Sequence, residues 1–523
     1  MTSAVLNCPA IGRRHVTSRR RPIGIWLPVA VCLVWGAPGL GQTPCDQHKI
    51  MADDAAAGDR FGDSVSVSGD LVVVGAHGDN HAGSLSGSAY VFARDASGVD
   101  NWGQEAKLTA DDAAVWDCFG QSVSVSGHLA VVGAWGHNGY AGAAYVFARD
   151  AGGPDNWGQV AELTAADAAP ADYFGYSVSV SGDLAVVGAG ENNHAGIHSG
   201  SAYVFVRNAG GVNNWGQVAK LTADDAARDQ FFGHSVSVSR NLAVVGAWGA
   251  DSYRGSVYVF ARSAGGPDNW GQVAKLTADD APVYSLGASV SISGDVVVAT
   301  ARSRDDSGDF SGTVCVFARQ AGGVDNWDLM AKLTPGDAEE EDFFGGSVSV
   351  NGDLIIVQAG FLQGVGNRFG TTYVFARHAG GVDNWGQVAK LTADDAGDVA
   401  AGDFYGASVS VSGDLVVVGA NSDDDAGPSS GSAHVFSMFN ATGFTSDCNA
   451  NGFNGSFDIA AGADTDGNDN SVPDQREING GGDSRANDAG TAGDPATLRG
   501  SGATLDKSRD GRINRHRRHH PGE

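Results

Sequence analysis

The chain has 523 residues, of which 77 are Gly and 14 are Pro, with 42% hydrophobic residues and a formal net charge of −28. That length suits two to four ordinary domains, and the Gly content favours short strands and tight turns over helices, which interior Gly weakens. So acidic a chain repels polyanions, which excludes nucleic acid and anionic lipid headgroups as partners and suits a soluble exported protein or one that meets cations.

Residues 1–41 read as an export signal. Arg13, Arg14, Arg19, Arg20 and Arg21 form a basic leader, Ile23 to Trp35 an apolar stretch, and Gly39-Leu40-Gly41 a small-residue cleavage site before Gln42. The apolar stretch is short for a bilayer span and is interrupted by Pro28, Gly36 and Pro38, which predicts cleavage rather than membrane insertion. Those 41 residues carry five Arg and no acid, so the mature chain stands at about −33. Ser18-Arg19-Arg20 hints at twin-arginine export without the rest of that motif. Cys8 and Cys32 leave with the signal; Cys45, Cys118, Cys315 and Cys448 are too few and scattered for a disulfide framework, although Cys45 and Cys448 flank the repeats and are placed to bridge their ends.

From residue 46 to about 440 the sequence repeats itself every 57 residues or so, seven times. Each unit is anchored by a dipeptide: Phe61-Gly62, Phe119-Gly120, Phe174-Gly175, Phe232-Gly233, Leu286-Gly287, Phe344-Gly345 or Tyr405-Gly406. A Ser-Val-Ser-Val-Ser stretch follows, alternating with period two as a half-buried strand does. After a Ser-Gly-Asp turn comes an apolar run such as Leu71 to Ala76, the pattern of a strand covered on both faces. A variable loop, a third strand such as Ser88 to Arg94, a turn ending Asp100-Asn101-Trp102-Gly103 and a fourth strand Ala106 to Ala110 complete the unit. Four strands cannot bury both faces alone, whereas seven such units around an axis can, with small Ser side chains at the crowded centre. An open solenoid would need polar caps. Instead the last unit stops after its third strand, and the missing fourth lies at the other end of the chain, where Lys49 to Asp54 matches Lys107 to Asp112. The prediction is an all-β, seven-bladed propeller of four-stranded blades, closed by an N-terminal strand that completes the last blade.

The Phe-Gly anchor, the Asp-Leu-x-Val-Val-Gly-Ala run and the Tyr-Val-Phe strand resemble the FG-GAP repeat of integrin α-subunit propellers and their bacterial relatives. The resemblance implies a binding or adhesion scaffold. Two departures stand out. The Pro of the Gly-Ala-Pro element is replaced throughout, by His77, Trp135, Gly190, Trp248, Arg302, Gly360 and Asn421. The hairpin that forms a calcium loop in several family repeats shrinks here to Ser68-Gly69-Asp70 and its equivalents, too short for six or more oxygen ligands.

The Asp pairs at 53–54, 111–112, 224–225, 279–280 and 394–395 recur at one point of the repeat, which predicts turn or cap roles rather than catalysis. The Trp of Asn-Trp-Gly, at 102, 157, 215, 270, 327 and 385, reads as a packing plug. Function is expected where the units differ, in the loops between second and third strands and the nearby interblade connections. These carry Trp116, Trp135, His137, Tyr140, His194, His198, Trp248, Asp251, Tyr253, Tyr284, Asp305, Asp306, Phe310 and Asp423 to Asp425. The ligand-binding candidates are Trp116, Trp135, Tyr140, Trp248, Tyr253 and Phe310, aromatic groups among acids on one face, suited to a protein or glycan. No catalytic constellation occurs: no nucleophile elbow, no His-Glu-x-x-His and no phosphate-cradling loop.

Residues 447–477 differ in composition. Asp447, Asn449, Asn451 and Asp458 fall at positions 1, 3, 5 and 12 of an EF-hand-type loop, and Asp466, Asn468, Asn470, Asp474 and Glu477 at positions 1, 3, 5, 9 and 12 of a second. The pair resembles dockerin-type or thrombospondin-type-3 calcium loops, with Gly455 at position 9 of the first and Ser471 at position 6 of the second as departures. Ca2+ is the expected cofactor. Residues 478–523 lack hydrophobic periodicity and read as a disordered tail, with a partial third loop at Asp506 that meets Arg517 at position 12. The sequence therefore predicts a secreted, cell-surface or periplasmic monomer that binds an extracellular or cell-surface protein or glycan without catalysis. The rivals are a hydrolase or lyase working in the propeller funnel, and a structural envelope component.

Overall fold

The computed structural model describes residues 46–438 apart from 99–100, 154–155, 213, 267–268, 279–283, 302–311, 320–325, 338–342, 361–369, 382–383 and 393–403. The export signal, Phe310, the proposed Cys45–Cys448 bridge, the calcium loops at 447–477 and the tail lie outside the described residues.

Period-two alternation sets the first blade. Its inner strand Ser64–Ser68 buries Val65 and Val67 and leaves the serines half-buried, while the second strand Leu71–Ala76 and third strand Ser88–Ala93 are buried throughout. The outer strand Gly103–Leu108 is partly exposed. The four pair antiparallel in chain order, and this pattern recurs in seven four-stranded sheets. In the seventh, Tyr405–Ser412, Leu415–Ala420 and Ser432–Ser437 take the inner three places, and Asp46–Ile50 pairs with Ser432–Ser437 residue for residue. The inner strands touch in succession from the first blade to the seventh, and the seventh touches the first. The ring is closed, and the N-terminal strand closes it as the sequence predicts.

The core is divided into seven apolar clusters, each lying between neighbouring blades. Val72, Val74, Tyr90 and Phe92 of the first blade pack with Ile50, Leu415, Val417 and Val435 of the seventh, and equivalent sets join each pair around the ring. The Phe of each Phe-Gly anchor is a keystone of its cluster: Phe61 is fully buried, 5.5 Å from the Tyr90 ring and 5.8 Å from the Phe92 ring. Its Gly62 holds φ at +93°, and a Cβ there would stand 2.2 Å from the Ser432 carbonyl oxygen of the seventh blade, so only Gly lets the blades meet. Trp102, Trp157, Trp215, Trp270 and Trp385 are buried, as a plug role requires; Trp327 is partly buried.

The serines do more than fit a crowded centre. Ser66, Ser124, Ser179, Ser237, Ser291, Ser349 and Ser410 each accept, through Oγ, the backbone N–H of Val125, Val180, Val238, Ile292, Val350, Val411 and Val67 on the next blade, at 3.0–3.1 Å. A second tier repeats the arrangement two residues later, from Ser68 accepting the Gly127 N–H round to Ser412 accepting the Gly69 N–H, with Asn351 Oδ1 standing in for one hydroxyl. Inner strands that point the same way around the axis have no sheet ladder between them, so the side chains supply the missing acceptors.

On the outer edge, six blades carry a bulge. Val91 faces Ala106 and Phe92 faces Gln104, which leaves Glu105 unpaired, and the same shift recurs through the sixth blade. A bulge kinks an exposed edge and so discourages strand addition.

Candidate functional site

The variable loop between second and third strands lies against the connection into the next blade. Trp116 N–H donates to Ser84 O, Tyr173 N–H to Tyr140 O, Asp229 N–H to Ile197 O, Ser285 N–H to Tyr253 O and Arg60 N–H to Ser429 O. The two sets of loops therefore form one face, as their topology requires.

Two of these loops are built differently. In the second blade, residues 138, 139 and 140 have φ of 49°, 70° and 65°; in the fourth, Asp251, Ser252 and Tyr253 have 51°, 62° and 67°. Each is a left-handed turn in which five of the six residues carry a Cβ, at a cost of about 1 kcal/mol or more per residue. Each lifts one tyrosine onto a tryptophan. Trp135 stacks on Tyr140 at 5.5 Å and 28°, and Tyr173 meets both rings edge-on or tilted. Trp248 stacks on Phe231 at 4.4 Å and 10°, with Tyr253 at 5.8 Å, and His198 covers the other side of Phe231. His234 meets Trp248 edge-on and lies against Tyr176, which extends the row. Tyr140, Tyr253, Tyr176 and Tyr284 are exposed.

The structure thus gathers Trp135 with Tyr140 and Trp248 with Tyr253. Trp116 is half exposed, and no described ring lies against it. In the first and seventh blades the position of the missing Pro is polar: His77 and Asn421 both contact Asp63, at 3.1 and 2.6 Å.

Among the described residues, six of the blades carry a polar cluster beneath the loops. In the first, Tyr90 donates to Asp54 and Asp79, and the Lys107 ammonium lies 2.6 Å from both carboxylates. Burial opposes charge on Lys107, but the hydrogen bonds to Asp54 and Asp79 outweigh it and raise its pKa; burial likewise opposes charge on Asp79, and the bonds from Lys107 and Tyr90 outweigh it and lower its pKa. Lys275 with Asp225 and Asp251, and Lys49 with Asp423 and Asp425, repeat the arrangement. The described Asp pairs lie in turns, as expected, and the structure adds a second role for them. The second Asp of each also accepts a hydrogen bond from a Tyr hydroxyl, while the loop residues Asp251 and Asp423 pair with lysines. The physical reason is the cross-strand register, which sets Lys107 beside Tyr90, Lys275 beside Tyr258 and Lys49 beside His434.

The second blade departs from this. Glu162, not Lys, faces Tyr145 across the strands, and His137 occupies the loop position. His137 Nδ1 is 3.2 Å from the buried Asp117 carboxylate, and its Nε2 is 3.7 Å from Asp112 and 3.9 Å from Glu162. The Asp117 hydrogen bond outweighs burial and raises the His137 pKa. Asp112, His137 and Glu162 are the one group among the described residues whose ligand atoms cluster closely enough to hold a metal ion.

A family model described as FG-GAP repeat matches residues 45–92, 102–147, 157–205, 215–260, 270–317, 327–375 and 385–436, one segment per blade. The chain belongs to the FG-GAP repeat family. No curated protein matches it in a sequence search. Within this FG-GAP propeller the sequence reading missed Tyr173, Phe231, Tyr176 and His234. They stand directly before and after the Phe-Gly anchors, where the other blades carry residues as different as Arg60, Cys118 and Asp63. Variation at the flanks of an otherwise constant anchor was the available signal.

Proposed function

We propose that the protein is an exported, non-catalytic binding or adhesion module that recognises an extracellular protein or glycan through the loop face of its second to fourth blades. One observation carries the reading: two left-handed turns, each strained, hold a tyrosine against a tryptophan on the same face. Strain of this kind persists where a fold over-determines it for use, and partly exposed stacked aromatics with polar edges suit sugar rings or protein side chains. The basic and apolar composition of residues 1–41 supports export.

The test is a glycan and cell-surface protein array probed with the mature chain, followed by Trp135→Ala and Trp248→Ala. Binding should weaken at least about tenfold in each, since truncation of a buried aromatic anchor typically costs more than 1 kcal/mol. Unchanged binding in both variants, or turnover on a polysaccharide or phosphoester panel, would overturn the proposal.

A further inference from the structure

We propose that the second blade carries a divalent transition-metal site, of the kind that takes Zn2+, with His137 Nε2 and the carboxylates of Asp112 and Glu162 as protein ligands and Asp117 as the residue that orients the histidine. Two independent observations lead here.

The first is the geometry of the imidazole. A neutral ring that donates Nδ1–H to Asp117 presents the Nε2 lone pair to its other neighbours, and those neighbours are two carboxylate oxygens at 3.7 and 3.9 Å. Lone pair facing carboxylate is repulsive unless a metal cation stands between them or Nε2 takes up a proton, and the titration below separates the two. Tetrahedral ligands at about 2.0–2.2 Å from Zn2+ stand roughly 3.3–3.6 Å apart, so small rotations of two partly exposed carboxylates close the set. A carboxylate on the far ring nitrogen is the usual support of a metal-bound histidine, fixing both tautomer and orientation.

The second is the comparison among blades, which makes this more than an acidic cluster. At the cross-strand position of Glu162 the other six blades carry Lys107, Lys220, Lys275, Lys332, Lys390 and Lys49. In five of them that ammonium neutralises a carboxylate: Lys107 on Asp54, Lys220 on Asp167, Lys275 on Asp225, Lys390 on Asp337 and Lys49 on Asp423. The second blade keeps the carboxylate, loses the cation, adds another carboxylate and gains an imidazole. A bound dication restores the missing positive charge. One nitrogen and two carboxylate oxygens match the preferences of Zn2+ and its neighbours, and are too few for Ca2+, which takes six to eight oxygens. Three protein ligands leave a position for water or for an oxygen donor of a partner.

The experiment is calorimetric titration of the mature chain with Zn2+ in a chelator-free buffer. The tail histidines His516, His519 and His520 are replaced by Ala beforehand, because they offer Zn2+ a rival site. One equivalent should bind. Glu162→Lys, which copies the residue of the other blades and so keeps the fold, should lower affinity at least about 100-fold, as should His137→Ala, and Asp117→Asn should lower it roughly 10–100-fold. With Co2+ as probe, the visible absorption of a low-coordinate site should appear and be lost in Glu162→Lys. Absence of a bound equivalent overturns the proposal, with the imidazolium then serving as the substitute for Lys. Binding that survives Glu162→Lys or His137→Ala overturns it equally.

Discussion

Replacing Ser410 by Ala removes the Oγ that accepts the Val67 N–H across the seam between the last blade and the first, at 3.1 Å. Replacing Ser66 removes the acceptor of the Val125 N–H at an ordinary interface, at 3.0 Å. Val67 and Val125 are both buried, so each change leaves a backbone donor short of a partner, at about 1–3 kcal/mol. Unfolding entropy near 2.1 cal/mol/K per residue over roughly 390 residues comes to about 0.8 kcal/mol/K, so each variant should melt roughly 1–4 °C below the parent. The decisive quantity is the ratio. If the seam is held by the chemistry of the other six interfaces, scanning calorimetry should show equal shifts for Ser410→Ala and Ser66→Ala within error. A silent Ser410→Ala beside a costly Ser66→Ala would refute closure by an equivalent interface. Silence in both would show that water replaces the hydroxyl, and the serines would then matter only for size.

Other outcomes follow from named contacts. A Cβ on Gly133 would lie 1.9 Å from the Gly175 carbonyl oxygen of the next blade, so Gly133→Ala should cost about 3 kcal/mol or more in a thermal melt. Thr300 occupies the equivalent place in the fifth blade and accepts the Ser289 N–H through Oγ1, so Thr300→Gly should cost only about 1 kcal/mol. The hydrogen bonds from Lys49 and Ser432 outweigh burial and depress the Asp423 pKa, so their contribution is complete above the unfolded carboxylate value near 4 and is lost as pH falls through the lower folded value. The melting gap between parent and Lys49→Met should therefore be widest near neutral pH and close below about pH 4; a gap that widens in acid would contradict the pairing. Calcium should bind only through residues 447–477, so calorimetry on a chain ending at Phe439 should register no Ca2+, and heat from that chain would place calcium in the blades.

How much of this was legible beforehand depends on what a residue does rather than on where it lies. Strand order and closure were legible because burial is periodic and Lys49 to Asp54 copies Lys107 to Asp112, a comparison within one chain. The serines were read for their size, but their hydroxyls bond to the next blade, a partner 55 to 62 residues away, or 343 across the seam, that no local pattern reveals. The Asp pairs were read as turn or cap residues because turns favour Asp, and they do lie in turns; only the register of Tyr90 beside Lys107 shows what their second members meet. Trp135 and Trp248 were found because they stand in the loops between second and third strands, where the units differ. Phe231, their closest counterpart in the stack, was passed over because it sits beside an invariant-looking Phe-Gly and reads as part of it.

The departures from the repeat are not scattered, and this bears on where function lies. A seven-fold scaffold tolerates little change where blades meet: Phe61 fills its cluster, Gly62 touches the neighbouring backbone, and Ser66 serves the next blade. Drift without use should accumulate on exposed loops and leave the polar clusters beneath them alone, since an unmatched buried charge costs several kcal/mol. In the second blade both layers change together: a strained turn lifts Tyr140 onto Trp135, while two residues below Trp135 in the chain His137 enters a cluster that has exchanged Lys for Glu162. The fourth blade shows the control. It has the same strained turn and the same Trp–Tyr contact, yet keeps Lys275 on Asp225 and Asp251. The aromatic arrangement therefore does not require the exchange of Lys for Glu, and the altered cluster of the second blade needs its own explanation, which a bound cation supplies.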